Sequence, residues 1–540
     1  MKRSFFRILF PALLLIFAWG IYRHYHDATP YEGLSVSQAI PPGYIFTLET
    51  DDARSAWKKI HQNILFTDLK QSRRFDFLQP IDSLLTIYIL EKKTTRGFFK
   101  NRPFAMSAHI VAGNDYDFLY ILDLKQHIPA EQIVSILKKL APSHIAFQSI
   151  GTKKHPAWKV TGLTDDPLYF SLRKNLFLFS FSYQIIRQSI LHHSTAPSSS
   201  PAGVDGLIRF RFQYEKLPLF LQTFGLETGS LTYGLSHNLR QSLLAIDQED
   251  RTVEASGYTM ADSLSQIPDI MHQSGSATWK AYRILPRSTM IYTAFLTDHF
   301  DDFYRQILDL SFRQNPERQQ KYRQYEKQLK DYLNIDIQRD MISWIGDETG
   351  VAKWSTKPGS QCVAVLIRAD DIDYARERLL HINKMLRKRS PVRFNSYRHE
   401  GHTIYYLHQK KLFKMIFGNW LPGMSTPYFT FIDDFVVFSN AARDLEYMID
   451  SYKKHQTWKH QTAFRPVLKS SDKSLHLLSI IRSPLLYNYS YRSASPAMRR
   501  SLSDFYRLFH DMDYMVAGWK AENEEKIKTD FYFFLRPGND

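Results

Sequence analysis

Two distant segments of the chain repeat the same order of structural signals. LYFSLRKNLFLFSFSYQIIRQSILHH begins at Leu168, and PYFTFIDDFVVFSNAARDLEYMIDSY begins at Pro427. In each, two aromatic-rich runs flank a polar pair, Lys174–Asn175 or Asp433–Asp434, which predicts a β-hairpin with a tight turn. Apolar residues at helical spacing follow, so a helix is predicted after each hairpin, with Ser182 as the N-cap of the first helix and Asn440 before the second. The two segments align without a gap.

The flanking segments match in the same order. FLYILDLKQHIPAEQIVSILKK, from Phe118, and CVAVLIRADDIDYARERLLHINK, from Cys362, each predict a buried strand followed by an amphipathic helix. IPPGYIFTLETDDARSAWKKI, from Ile40, and LPRSTMIYTAFLTDHFDDFYRQI, from Leu285, each predict a strand and then a capped helix. SLLAIDQEDRTVEASGYTMAD and YMVAGWKAENEEKIKTDFYFF predict the last hairpin of each half. A period of about 250 residues indicates a duplicated domain rather than a solenoid.

These patterns predict an α+β fold. The expected architecture is two related tandem halves of mainly antiparallel sheet with packed helices, after one N-terminal transmembrane helix. The predicted segments are a signal anchor at residues 1–30, a first domain at 40–264, a linker at 265–284 around Ser274, Gly275 and Ser276, and a second domain at 285–537. At 540 residues, the chain is too long for one hydrophobic core.

The N-terminus combines positive charge with an apolar run. Lys2, Arg3 and Arg7 precede an uncharged apolar run from Ile8 to Tyr22, which lengthens by three residues if Phe5 and Phe6 are counted together with Arg7. At ~1.5 Å per residue the stretch covers roughly 22 to 27 Å, which is near the minimum for crossing a bilayer. The stretch ends in aromatic residues rather than small ones, which favours an uncleaved anchor over a cleaved signal or a buried helix. The bulk of the chain is then predicted to be periplasmic, on a single-pass protein of the bacterial inner membrane.

The chain carries a net charge of +16, which favours anionic partners such as phospholipid head groups, lipopolysaccharide or nucleic acid. Two runs of basic residues concentrate this charge, and the ordinary interpretation of such runs is a solvated loop. If they are more than loops, they predict salt-sensitive association with anionic membranes. The charge is concentrated at Lys92, Lys93, Arg96, Lys100 and Arg102, and again at Lys384, Arg387, Lys388, Arg389 and Arg393.

The layout of the chain resembles a known family. The features that carry the likeness are the single anchor, Pro41, Pro42 and Trp57 at the start of the first half, the duplicated halves, and SWIGDETGVA from Ser343. Together they resemble an uncharacterised family of membrane-anchored bacterial extracytoplasmic proteins. This family is a domain of unknown function with a duplicated α+β region. The resemblance covers most of the chain after the anchor. It implies a location and a fold, and it carries no site residues.

HEGH is the nearest approach to a metal-binding pattern, with His399, Glu400 and His402 followed by His408. Imidazole and carboxylate groups are the usual zinc ligands. On a strand, His402 and His408 would lie roughly 20 Å apart at ~3.3 Å per residue, so they cannot share an ion. His399 and His402 could share one across a turn, but an ordinary hairpin tip is the favoured interpretation. The H-E-x-x-H spacing of zinc proteases is absent.

Other candidate groups have ordinary structural interpretations. Ser55 with Lys58, and Ser451 with Lys454, fit S-x-x-K, in which a lysine activates a serine, but surface helix positions are favoured. A helix end at Gly346 and then a turn are favoured for the first of two acidic pairs, a turn between strands for the second, and a core position for the single cysteine. These groups are Asp347 with Glu348, Asp115 with Asp117, and Cys362. No catalytic, cofactor-binding or metal-ligating residue is assigned, and no cofactor is expected.

The sequence therefore predicts a location more firmly than an activity. The favoured function is that of a membrane-tethered extracytoplasmic protein that binds or scaffolds a component of the cell envelope, without catalysis. The alternative is an envelope-acting hydrolase with an unrecognised active site. The expected partners are the membrane, through residues 5–22, and anionic lipid or another envelope component. Nucleic acid is disfavoured, because neither basic run interleaves aromatic residues as a base-stacking surface would.

Overall fold

A computed structural model describes residues 33–71, 78–93, 97–112, 115–127, 129–140, 144–162, 166–192, 204–223, 235–262, 265–357, 360–388, 396–407, 412–417, 427–471 and 473–536. The chain divides into two compact units, residues 1–262 and 263–540. Its described residues are 42% helical and 34% strand, which confirms the α+β class, although helical residues outnumber strand residues. The predicted anchor at residues 1–30 lies outside the described residues. None of the helices in the described ranges is long and apolar enough to cross a membrane.

The described part of the first unit contains ten strands in one antiparallel sheet. The strand order is β4-β5-β6-β7-β3-β2-β1-β8-β9-β10. The strands are β1 (Tyr44–Thr50), β2 (Phe104–Ala112), β3 (Asp115–Asp123), β4 (Ala146–Ser149), β5 (Ala157–Thr161), β6 (Leu168–Arg173), β7 (Leu176–Ser180), β8 (Ile208–Gln213), β9 (Leu239–Glu249) and β10 (Thr252–Ala261).

The described part of the second unit also contains ten antiparallel strands. Their order is β14-β15-β16-β17-β13-β12-β11-β18-β19-β20. The strands are β11 (Thr289–Leu296), β12 (Ile345–Trp354), β13 (Cys362–Ala369), β14 (Tyr397–His399), β15 (His402–Tyr406), β16 (Tyr428–Ile432), β17 (Phe435–Ser439), β18 (Leu477–Arg482), β19 (Met512–Ala521) and β20 (Lys526–Leu535).

The two strand orders are the same when ten is added to each strand number of the first unit. The predicted hairpins are β6–β7 and β16–β17, and their turns contain Lys174 and Asp433 in the left-handed region, at φ 55° and 54°. Helices follow both hairpins at Tyr183–Leu191 and Ala442–Lys453. The topology is therefore the one that an internal duplication predicts.

Helices connect the strands in both units. In the first unit they are α1 (Ala53–His61), α2 (Ile64–Gln71), α3 (Leu78–Leu85), α4 (Ala130–Leu140), α5 (Tyr183–Leu191) and α6 (Leu217–Thr223). In the second unit they are α7 (Ile267–Gln273), α8 (Phe300–Gln314), α9 (Pro316–Leu333), α10 (Ile372–Lys388), α11 (Leu412–Phe417), α12 (Ala442–Lys453), α13 (Arg465–Ser471), α14 (Ser483–Ser493), α15 (Pro496–Ser503) and α16 (Tyr506–Asp511).

The strands β3 and β13, near the middle of each sheet, are covered on both faces. Along β3, Leu119 and Tyr120 point into different hydrophobic clusters, and along β13 so do Val365 and Leu366. Successive side chains of a strand lie on opposite faces, so a strand buried on both faces has a continuous apolar sequence. This explains why FLYIL and VAVLI lack the polar alternation of a half-exposed strand.

The segment 265–284, predicted to be a linker, packs within the second unit. Met271, Trp279 and Ile284 are at most 7% exposed and belong to its hydrophobic clusters. Ser274, at the centre of the predicted linker, is fully buried, and its hydroxyl donates to the Ile270 carbonyl oxygen at 2.5 Å. The Ser-Gly-Ser composition therefore marks the end of helix α7 and not a flexible connection.

Candidate functional site

The most unusual polar group of the second unit is the carboxylate of Glu348, which is fully buried. Glu348 lies in β12, so the predicted turn after Gly346 is wrong: the strand already begins at Ile345. It pairs across the sheet with Leu296 of β11. A buried ionisable group is costly unless donors surround it, so its contacts define what it does.

Three donors converge on this carboxylate. The Tyr292 hydroxyl donates to Oε1 at 2.6 Å. The backbone N–H of Lys280 donates to Oε2 at 2.5 Å, and that of Ala281 lies 3.2 Å from both oxygens. Glu348 therefore joins the sheet to the segment that precedes β11, which contains the short helical turn Ala281–Arg283.

Gly350 makes room for this arrangement. A Cβ atom at this position would lie 2.3 Å from the Tyr292 hydroxyl oxygen and 2.6 Å from its ring. Only glycine lets the tyrosine ring lie against β12 and reach two residues along the strand to Glu348. The glycine in DETGVA therefore has a packing role.

Burial raises the pKa of Glu348 to about 7, since desolvation outweighs the hydrogen bonds from Tyr292, Lys280 and Ala281, and nearby Asp347 adds repulsion. Burial and the adjacent Glu348 carboxylate also raise the pKa of Tyr292 well above its usual value. A carboxyl group that titrates near neutrality suits proton transfer in an active site. Here, however, the carboxylate is fully buried and its contacts are with the chain itself, so its geometry is that of a group that connects parts of the fold.

A network of charged side chains lies beside the buried carboxylate. The Arg368 guanidinium donates to Asp347 at 2.6 Å and to Asp434 at 2.7 Å, and Arg283 donates to Asp434 at 2.6 Å. Burial lowers the pKa of Arg368, but its hydrogen bonds to the two carboxylates outweigh this effect and raise the pKa above its usual value. Burial raises the pKa of Asp434, but hydrogen bonds from the two arginines hold it below its usual range. The network ties the β16–β17 turn to the segment before β11.

The first unit uses different residues for the same connection. The Asn175 side chain is fully buried in the β6–β7 turn, and its amide donates to Asp123 Oδ1 at 2.8 Å and to the Leu34 carbonyl oxygen at 2.9 Å. The Leu34 N–H donates back to Asn175 Oδ1 at 2.8 Å. By strand register Asn175 corresponds to Asp434, and Asp123 corresponds to Arg368. In both units, therefore, the same turn holds the segment that precedes the first strand.

The histidines of HEGH do not converge. His399 and His402 are paired across the β14–β15 hairpin, with Glu400 and Gly401 at its tip in the left-handed region. His399 Nε2 lies 2.6 Å from Asp450 Oδ1, whereas His402 Nδ1 lies 2.8 Å from the Phe431 carbonyl oxygen. His408 lies outside the described residues. Across the described ranges, no three His, Cys, Asp or Glu side chains are grouped to hold a metal ion.

The two S-x-x-K pairs do not form nucleophile and base pairs. The Ser55 hydroxyl donates to Asp52 at 2.7 Å, as part of the cap of helix α1. Ser451 is 4% exposed, and the Lys454 ammonium lies 3.5 Å from Asp450. The Ser55 hydroxyl is thus occupied by the helix cap, and Ser451 is buried.

The remaining candidates lie in strands. Cys362 is buried in β13, as predicted, and burial raises the pKa of its thiol. Asp115 and Asp117 lie within β3 rather than in a turn, and Asp117 is 2% exposed. Beside them in β2, the Ser107 hydroxyl lies 2.9 Å from His109 Nε2, a contact that no sequence pattern indicated. Burial lowers the pKa of this histidine to about 4, so at neutral pH Ser107 and His109 are an uncharged pair in the core.

The first basic run does not form a continuous solvated surface. Arg102 is 6% exposed, lies over the Phe98 ring at 4.1 Å, and donates from Nε to the Phe98 carbonyl oxygen at 2.5 Å. Arg96 of the first run, and Arg389 and Arg393 of the second, lie outside the described residues. The structure thus contradicts the solvated-loop interpretation at Arg102.

No protein-family model, curated protein sequence or solved structure matches the chain.

Proposed function

We propose that this protein is a single-pass protein of the bacterial inner membrane, whose two periplasmic units bind another component of the cell envelope without catalysing a reaction. The observation that supports a non-catalytic role is the Glu348 cluster. Its carboxylate and tyrosine have the chemistry of an acid–base pair, yet they join β11 and β12 to the preceding segment. These groups therefore hold parts of the second unit together, which supports a structural use of the pair.

Two further features support the location and the architecture. The basic and then apolar sequence of residues 1–22 supports membrane attachment, with the C-terminal bulk on the outer side of the membrane. The shared strand order supports a duplication, with repeated domains at residues 40–264 and 285–537 and with the segment 265–284 packed against the second of them. We propose that these domains form a pair of related binding modules on one tether.

The binding role is tested by chemical cross-linking in cells, followed by affinity capture of the tagged full-length chain and mass spectrometry. A matched variant replaces residues 1–30 with a cleavable secretory signal, so that the same units reach the periplasm without the tether. We expect the same envelope component to be enriched with both proteins, because the units and not the anchor bind it. Failure to enrich any component above an unrelated tagged periplasmic protein would contradict the binding role.

A further inference from the structure

A cleft of about 280 Å³ lies on the second unit, beside one face of helix α14. Leu485, Asn488, Tyr489 and Arg492 line one wall. Their spacing of i, i+3, i+4 and i+7 places them on one side of the helix. The cleft volume is close to the lower end of the range for small-molecule sites, so it suits a small ligand.

The opposite wall comes from the start of β11 and from the turn after β12. It contains Ser288, Ser355 and Lys357 among its polar residues. The turn is held by its own hydrogen bonds: the Ser355 hydroxyl donates to the Lys357 carbonyl oxygen at 2.7 Å, and the Lys357 N–H donates to Ser360 Oγ at 3.1 Å. These bonds fix the backbone from which the Lys357 side chain extends.

The charge of the cleft has one sign. Lys357 and Arg492 are cationic, and none of the described residues that line the cleft is acidic. Neither cation forms an ion pair with a described carboxylate, whereas Arg283 and Arg368 of the same unit are both paired. A second cleft of the unit, of about 410 Å³, has the opposite composition and is lined by Asp269, Asp309, Glu524 and Glu525 with Arg313.

We propose that the cleft beside α14 binds a small hydroxylated anion of the phosphate-ester class. A guanidinium group donates two parallel hydrogen bonds to phosphate oxygens, which is the role assigned to Arg492. Lys357 supplies a second positive charge from the opposite wall. The Asn488 amide can donate to hydroxyl groups, and so can Ser288, whose oxygen already accepts from the Tyr447 hydroxyl at 2.9 Å.

The inference rests on the proposed function in one respect, namely that the second unit is a binding module. Phosphate esters reach the periplasmic side of a membrane both as lipid head groups and as free solutes. The two sources share the chemistry that the cleft recognises, and they differ in the acyl chains that a lipid carries.

The test is calorimetric titration of the full-length protein in a non-ionic detergent. The probes are inorganic phosphate, glycerol 3-phosphate, dihexanoyl phosphatidylglycerol and zwitterionic dihexanoyl phosphatidylcholine. The variant is Lys357→Gln with Arg492→Gln. Its matched control, Arg323→Gln with Lys327→Gln, removes the same two kinds of charge from the exposed surface of α9. Arg492→Lys keeps the charge and removes the two-pronged geometry.

We expect the wild-type protein to bind at least one anionic probe, and the double variant to bind it at least about tenfold more weakly. The control should change the dissociation constant by less than about twofold, and Arg492→Lys should have an intermediate effect. Preference for phosphatidylglycerol over glycerol 3-phosphate identifies a lipid source, and the reverse identifies a free solute. Absence of anion binding, equal binding of phosphatidylcholine, or equal weakening in the control would overturn the proposal. Because purified protein is used, none of these results depends on the membrane location.

Discussion

Replacing Glu348 with glutamine should preserve the fold of the second unit and change how its stability depends on pH. Glutamine has the shape of glutamate but does not ionise. Its oxygen can accept from the Lys280 and Ala281 N–H groups, and its NH₂ can donate to Tyr292 if that hydrogen bond reverses direction. Glutamine can therefore keep the hydrogen bonds of the Glu348 side chain, but it cannot titrate.

The size of the effect follows from the pKa. Burial raises the pKa of Glu348 from 4.5 to about 7, so between these values the folded state holds a proton that the unfolded state releases. The contribution to the free energy of unfolding is fully present below pH 4.5, and roughly 3 kcal/mol of it is lost as the pH rises through 7. Between pH 5 and pH 8 the loss is about 2–3 kcal/mol by the same relation. The glutamine variant lacks this term.

His476 acts in the opposite direction, so the difference between the two proteins must be measured. Burial lowers the pKa of His476 to about 4, and the unfolded state therefore takes up the proton first as the pH falls below 6.5. This effect is present in both the wild-type and the glutamine protein. Subtracting one pH profile from the other leaves the contribution of Glu348.

The measurement is urea unfolding at pH 5, 6, 7 and 8, with pulsed hydrogen exchange of peptides from β11 as the readout for the second unit. Glu317→Gln makes the same chemical change at an exposed position on α9 and should leave the profile unchanged. Parallel pH profiles for wild-type and Glu348→Gln protein would refute the assignment of a raised pKa to this buried group.

The remaining predictions concern the other contacts described above. Asn175→Asp should lower the melting temperature, because it places a second carboxylate against Asp123. Adding Asp123→Arg should restore stability with a coupling of about 1–2 kcal/mol, since the pair then matches Arg368 and Asp434. Additive effects of the two substitutions would contradict the equivalence of these positions. Arg368→Lys should lower the free energy of unfolding by about 1–2 kcal/mol in urea, because lysine cannot make both hydrogen bonds in the same geometry; unchanged stability would show that the network does not hold the turn. Cys362 should react with an aromatic disulfide reagent only in urea, because burial raises the pKa of its thiol; prompt reaction of the folded protein would contradict its core position.

The local elements were predictable because their signals lie within short stretches of chain. The Lys174–Asn175 and Asp433–Asp434 pairs between aromatic runs indicate hairpin turns, and the structure has β6–β7 and β16–β17 at these positions. Both following helices were also predicted, although their caps differ from the expectation. The Ser182 side chain makes no capping bond, and its N–H instead donates to Ser180 Oγ at 3.0 Å.

The Glu348 cluster was not predictable because its partners are distant in sequence. Lys280 and Ala281 contribute backbone N–H groups, which no side-chain pattern reveals, and they lie 68 and 67 residues from Glu348. Gly346 suggested a helix end, but a Cβ there would lie 2.5 Å from Asp370 Oδ1, so close packing and not a turn favours glycine. Charge was misleading at Arg102, because its contacts with the Phe98 ring and with the Phe98 and Asp123 carbonyl oxygens form only in the folded chain.

The proposal that the two units lie outside the cytoplasm on a membrane tether is tested by a reporter fusion. Alkaline phosphatase joined after Asp540 is assayed in a Gram-negative host, and the cells are then separated into membrane and soluble fractions. The account predicts an active phosphatase that stays in the membrane fraction with residues 1–30 attached. An inactive phosphatase, or a soluble mature protein that lacks the residues before Ala28, would contradict it.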